Sequence, residues 1–190
     1  MQREPHPGPP PPEKIFDPFR DRVSRDIRNA LAEAFVAAWG GDGRGFESLA
    51  AALRRRHALP VYRDYIDRRL TLYREAVAAR GRADDPDLLD DMVVLWNQGL
   101  FFEVHELLEG HWHDARGARR EALKTLIQAA GVFVHREAGR VAAAERMGRR
   151  VSERIDALRP HLGAIRNLDD LREALVHPAG SPPQLEGPLR

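Results

Sequence analysis

Phe101-Phe102-Glu103-Val104-His105-Glu106-Leu107-Leu108-Glu109-Gly110-His111-Trp112-His113 spaces its large apolar residues three and four positions apart, the period of a helix with one face in a core. At about 100° per residue, Val104, Leu108, Phe101 and Trp112 form the centre of an apolar arc and Phe102 its far edge. His105 and Glu109 fall between Trp112 and Phe102, inside that arc, and as i and i+4 neighbours their side chains meet. Glu106 sits at the margin, and Glu103 is expected to face water. An ionisable pair on a core-facing stripe is costly to bury unless it is paired, hydrogen-bonded or metal-bound. The reading therefore expects a site here.

The same period extends outward in both directions, and no convincing alternating strand pattern interrupts it. Towards the N-terminus a helix is expected over about Pro18–Trp39, its stripe made by Val23, Ile27, Leu31 and Phe35, stopped by Gly40-Gly41-Asp42-Gly43. Others follow over about Phe46–His57 and from Pro60 to about Arg80. The acidic linker Asp84-Asp85-Pro86-Asp87 then suits the positive end of a helix that either runs on to His113 or breaks at Asn97-Gln98-Gly99. Beyond it come about Ala118–Ala138, Val141–Leu158 and a short helix near Leu168–Val176. The expected fold is all-α, a compact irregular bundle of six or seven helices. Pro-rich residues 1–13 and 178–190 are expected to be disordered tails. Residues 14–82 are expected as a helical extension and 84–177 as the domain that carries the motif.

Bulk composition fits that reading and removes several function classes. With 43% hydrophobic and 31% charged residues in 190, the chain is ordinary globular protein. It has no Cys, which excludes disulfides, thiolate metal sites and cysteine nucleophiles. No apolar run approaches the ~18 residues that span a bilayer, and the Pro-rich N-terminus has no apolar signal core. A cytoplasmic protein without a membrane partner is expected. Net charge is +1 and gives no global argument for nucleic acid. Apart from Lys14 and Lys124 every basic residue is Arg, so the arginines of 54–74 are a default cation interleaved with Asp64, Asp67 and Glu75. A solvated, salt-bridged surface is expected there, with no nucleic-acid site residues. No P-loop, G-x-S-x-G, dinucleotide fingerprint or Ser-His-Asp order is present.

The helix expected after the Asp114–Gly117 loop offers the cluster a partner face. Leu123, Ile127, Ala130 and Val134 make its apolar centre; Lys124, Gln128 and His135 line one edge, with Gly131 between them. Across an antiparallel hairpin Gln128 stands level with His105, and His135 lies further out, near Gln98 and Phe101. The expected polar pocket is Asn97, His105, Glu109, Trp112, Gln128 and His135.

These residues carry a resemblance. Trp96-Asn97-Gln98-Gly99-Leu100-Phe101-Phe102-Glu103-Val104-His105-Glu106-Leu107-Leu108-Glu109-Gly110-His111-Trp112, followed by Leu126-Ile127-Gln128-Ala129-Ala130 and His135, resembles the prokaryotic family called domain of unknown function 309. That family's pattern is N-x-G-x-[FY]-[FY]-E-x-H-E-x-[LW]-E-x-x-W, then L-I-Q-x-A and a later His. The resemblance covers about residues 95–158. It implies a small all-helical fold and no particular activity.

Three functional readings follow. The first is a helical binding or scaffold module, its polar pocket around the His–Glu motif taking an unknown small molecule or protein, with a second copy of the chain also open as a partner. The second starts from the likeness of His105-Glu106-x-x-Glu109 to the zinc H-E-x-x-H: a metal-dependent hydrolase with His105 and Glu109 as ligands of a divalent metal and Glu106 as catalytic base. His111, His113 or His135 would complete the shell. The third is nucleic-acid association through the Arg-rich extension. The binding module is the reading preferred, because the second His of the zinc motif is replaced by Glu.

Overall fold

A computed structural model of the chain describes residues 14–39, 45–80, 87–162, 165–177 and 180–187. Among these the chain forms eight α-helices, no strand, and one 3₁₀ turn at Arg159–His161. The helices are α1 (Arg22–Trp39), α2 (Gly45–Arg56), α3 (Pro60–Arg80), α4 (Leu88–Asn97), α5 (Phe101–Trp112), α6 (Gly117–Glu137), α7 (Val141–Leu158) and α8 (Leu168–Val176). No described helix is long and apolar enough to cross a membrane. The N-terminal tail, the glycines after Trp39 and most of the acidic linker lie outside the described residues.

The eighth helix comes from the break at Asn97-Gln98-Gly99. Gly99 takes φ +69°; its N–H bonds the Trp96 carbonyl at 2.9 Å and the Leu100 N–H bonds the Leu95 carbonyl at 3.0 Å. This double closure of a helix end needs a left-handed residue. The same motif ends α6 at Gly139 and turns the chain tightly into α7. At the other end, α1 begins four residues later than expected. Asp17–Arg20 forms a turn, and Asp21 caps the helix by accepting from the Ser24 N–H at 3.1 Å and the Ser24 hydroxyl at 2.7 Å.

The most extensive packing runs α5 on α6 and α6 on α7, with α1 against α2 and α5, and α3 against α4. Trp96, Phe101 and Phe133 meet with ring centroids 5.1 Å apart in every pair. Across the molecule Phe35 stacks on Tyr73 at 4.0 Å, with Phe46 edge-on to both. Both groups belong to one continuous core. A clamp reinforces the join: Arg80 donates to both Asp91 oxygens at 2.8 and 2.9 Å and to the Trp39 carbonyl.

Two contacts fasten the C-terminal end. Gly148 of α7 lies directly under α8: a Cβ there would stand 1.9 Å from the Leu175 carbonyl oxygen. Residues 180–187 then return along α4. Trp96 Nε1 donates to the Pro183 carbonyl at 2.9 Å, and Asn97 exchanges hydrogen bonds with the Leu185 backbone at 2.7 and 2.9 Å. Leu185 is buried. This stretch was expected to be a disordered tail; paired backbone groups and one buried leucine hold it instead.

Candidate functional site

On α5 the buried side chains are Phe101, Glu103, Val104, Leu107 and Leu108. The buried arc is rotated towards Glu103 relative to the one drawn from sequence, because α1 packs on α5 as well as α6 does and the Arg69 and Tyr73 side chains reach across from α3. His105, Glu106 and Glu109 consequently sit on the rim, with side-chain exposures of 30%, 34% and 44%. They remain together. His105 Nδ1 is 3.4 Å from Glu106 Oε1 and 3.9 Å from Glu109 Oε2, and one ligand atom from each of the three falls within 4.8 Å of the others. That nitrogen is shut off from solvent and has no hydrogen-bond partner. The imidazole lies parallel to Phe102, centroids 6.0 Å apart.

The other residues expected in this pocket have partners elsewhere. Asn97 holds the C-terminal return. Gln128 accepts from Arg154 of α7 at 3.1 Å. Trp112 lies under the Arg120 guanidinium at 3.8 Å, its indole N–H unpartnered. His135 stacks on Phe19 at 4.8 Å; burial, helped by Arg140, lowers its basicity. Among the described residues, no hydrogen bond, ion pair or ring contact joins any of these four to His105 or Glu109. Gly131 faces the Met147 sulfur of α7 rather than α5. Of the other candidate ligands, His111 Nδ1 is 3.0 Å from its own helix's Leu107 carbonyl and His113 is exposed.

Glu103, expected in water, is wholly buried. It accepts from the Tyr73 hydroxyl at 2.6 Å and from Arg69 Nε at 3.3 Å, and is ion-paired with Arg69 Nη2. Burial opposes the Arg69 charge, but the adjacent carboxylate outweighs it and holds the guanidinium firmly protonated. Burial, and then the same carboxylate, push the Tyr73 hydroxyl well above the ordinary phenol range. No signal within the motif marks this residue as buried, because its partners lie thirty and thirty-four positions upstream.

Next to this network, and sharing Phe102 with the His–Glu rim, a cavity of 390 Å³ opens where α1, α3 and α6 meet the segment before α1. Its walls include Phe16, Phe19, Arg28, Tyr65, Arg69 and Glu137. Further along α5 a larger, more open cleft of 830 Å³ has Glu106, His111 and Asp91 in its lining. The arginines of α2 and α3 are partly neutralised, Arg54 by Asp67 and Arg74 by Glu47, both at 3.0 Å.

The chain is thus an all-α module in which one helix displays a His–Glu–Glu rim beside a cavity. The family model described as Domain of unknown function (DUF309) matches residues 89–147, which include most of α4, all of α5 and α6 and the start of α7. No curated protein and no solved structure matches the chain.

Proposed function

We propose that the protein is a helical binding module, and that its motif helix holds a divalent transition-metal ion through His105, Glu106 and Glu109. The observation that carries this reading is the convergence of three ligand atoms within 4.8 Å. The one nitrogen among them is a sheltered Nδ1 with no hydrogen-bond partner. One imidazole and two carboxylates, with water completing the shell, suit Zn²⁺ or Mn²⁺. The partly exposed Glu106 and Glu109 carboxylates leave the outer side of the cluster open to solvent, and the imidazole lies parallel to Phe102.

The hydrolase reading finds less support in the same distances. A catalytic base must stand off from the metal and face its bound water. Glu106 instead approaches His105 more closely than Glu109 does, at 3.4 against 3.9 Å, and so enters the ligand set. With all three groups engaged, binding rather than turnover is the function proposed.

Isothermal titration of metal-stripped protein with Zn²⁺ and Mn²⁺ tests the reading. One ion per chain is expected, with binding lost in His105→Ala and Glu109→Gln while the helical circular dichroism is kept. No binding by the native chain, or undiminished binding by His105→Ala, would overturn it. Glu106→Gln separates the two functions: as a ligand its loss weakens binding, whereas a base could be removed with affinity intact.

A further inference from the structure

We propose that the cavity between α1, α3, α6 and the segment preceding α1 binds a small planar organic anion, an aromatic or heteroaromatic carboxylate, with Arg28 as its counter-charge. The site is separate from the proposed metal centre and does not depend on it.

The shape argument comes first. At 390 Å³ the space lies within the range of small-molecule sites. Its walls include flat rings: Phe16 lies on Tyr65 at 3.6 Å and 8°, and Phe19 is held from behind by His135 at 4.8 Å and 19°. Phe102 closes a third side. Such walls offer ring edges and faces to a flat guest and gain little from a globular aliphatic one.

The charge argument follows from comparing arginines. Arg69 reaches the same cavity but is already neutralised by Glu103. Arg28 is not. Its guanidinium lies 3.8 Å over the Phe102 ring and, among the described residues, donates only to the neutral Asn29 amide, at 2.9 and 3.1 Å. Among the described residues no carboxylate comes within ion-pair distance of it; Glu106 and Glu103 act on it only from further away. Burial lowers its basicity, as expected for a desolvated and uncompensated cation. Arg68, near the Tyr65 face at 5.8 Å, likewise has no ion pair among the described residues. A guanidinium fixed against a ring, with donors still free, is the arrangement that takes a carboxylate bidentately.

The one carboxyl at the mouth does not reverse this sign. Glu137 makes no ion pair or hydrogen bond among the described residues. Glu137 is exposed as a residue, yet crowding of its carboxyl by its neighbours pushes it up, to about 7. Arg69 and Arg68 from α3 and Arg136 from its own helix pull the other way, and Glu103 from α5 adds to the rise. It is only partly charged at neutral pH, and when protonated it can donate to a bound carboxylate.

The test uses the full chain, stripped of metal and kept in chelator so that a carboxylate cannot bind through the proposed metal centre. Three probes are titrated: 2-naphthoate, its neutral analogue 2-naphthylmethanol, and cyclohexanecarboxylate. One naphthoate per chain is expected, with each of the other two at least about tenfold weaker. Arg28→Met, which keeps the aliphatic packing on Phe102, should weaken naphthoate by about tenfold or more and leave naphthylmethanol unchanged. Val134→Phe, which fills the cavity from α6, should abolish binding of all three and serves if the Arg28 variant does not fold. Naphthoate weaker than about 1 mM, equal binding of the alcohol or of the aliphatic acid, or naphthoate binding unaffected by Val134→Phe would each overturn the proposal. His105→Ala should leave naphthoate affinity unchanged, so failure of the metal reading and of this one are told apart.

Discussion

Glu103 gives up all solvent contact to stand between Arg69 and Tyr73, and a carboxylate so placed is held only by its partners. Removing one member of such a pair leaves an uncompensated charge and costs about 3–5 kcal/mol. Glu103→Gln and Arg69→Met are each expected to lose that much in urea denaturation, whereas the double change Arg69→Met with Glu103→Gln, which leaves no buried charge and keeps an acceptor for the Tyr73 hydroxyl, should recover part of it. A second residue works in the opposite sense. The Glu137 carboxyl, normally near 4.5, is raised to about 7 by crowding in the fold. The folded state then keeps a proton that the unfolded chain releases, so stability falls as pH rises from about 4.5 to 7. Glu137→Gln should flatten that part of the pH–stability curve, and an unchanged slope would refute the assignment. Neither residue was readable from sequence. Helical phase placed Glu103 on the wet side because it lies off the apolar arc of α5; the partners that bury it, Arg69 and Tyr73, come from α3, and only tertiary contact supplies them.

At the scale of the element, sequence was a better guide. Val141–Leu158 and Leu168–Val176 fall where their apolar stripes predict. Asp21 shows what pattern alone misses. Pro18 invited a helix start, but the carboxylate of Asp21, fixed first by the Ser24 hydroxyl, makes the cap and is lowered to about 2 from an ordinary 3.8. A depressed folded value means that its contribution is complete above about 3.8 and is lost as pH falls through 2. Asp21→Ala should cost about 1 kcal/mol at neutral pH, with the difference from the native chain shrinking in acid. Gly148 sets the register of α8 on α7. A Cβ would meet backbone at 1.9 Å, which no rotamer change relieves, so Gly148→Ala should cost about 1–3 kcal/mol and release α8 first. Amide exchange over residues 168–176 is the measurement, and unaltered protection there would show that α8 does not depend on this contact. The His–Glu cluster was legible because i and i+4 neighbours meet whatever the tertiary structure. Its companions were not: Asn97, Gln128 and His135 lie on other helices, and side-chain lengths across a hairpin do not say which face each one presents.

For the molecule as a whole, the family match covers about a third of the chain, yet the core runs unbroken through α1–α8. Separating residues 84–190 from the rest would expose the α5 face around Glu103 and strip Asp91 of Arg80. Such a fragment is expected to bind hydrophobic dyes and to melt without a sharp transition. A cooperative melt like that of the full chain would show that the extension is dispensable. The buried ion pair also bears on descent. Glu103 lies in the matched segment and Arg69 outside it, so two stretches that could be inherited separately are bound to one electrostatic debt. In an ancestor or a cousin without α3, the carboxylate at that position would have to be neutralised by some other chain, turned back to water, or replaced. The fate of that single glutamate is then tied to the presence of α3, and positions 69 and 103 are expected to vary together among related chains; independent variation would refute the coupling.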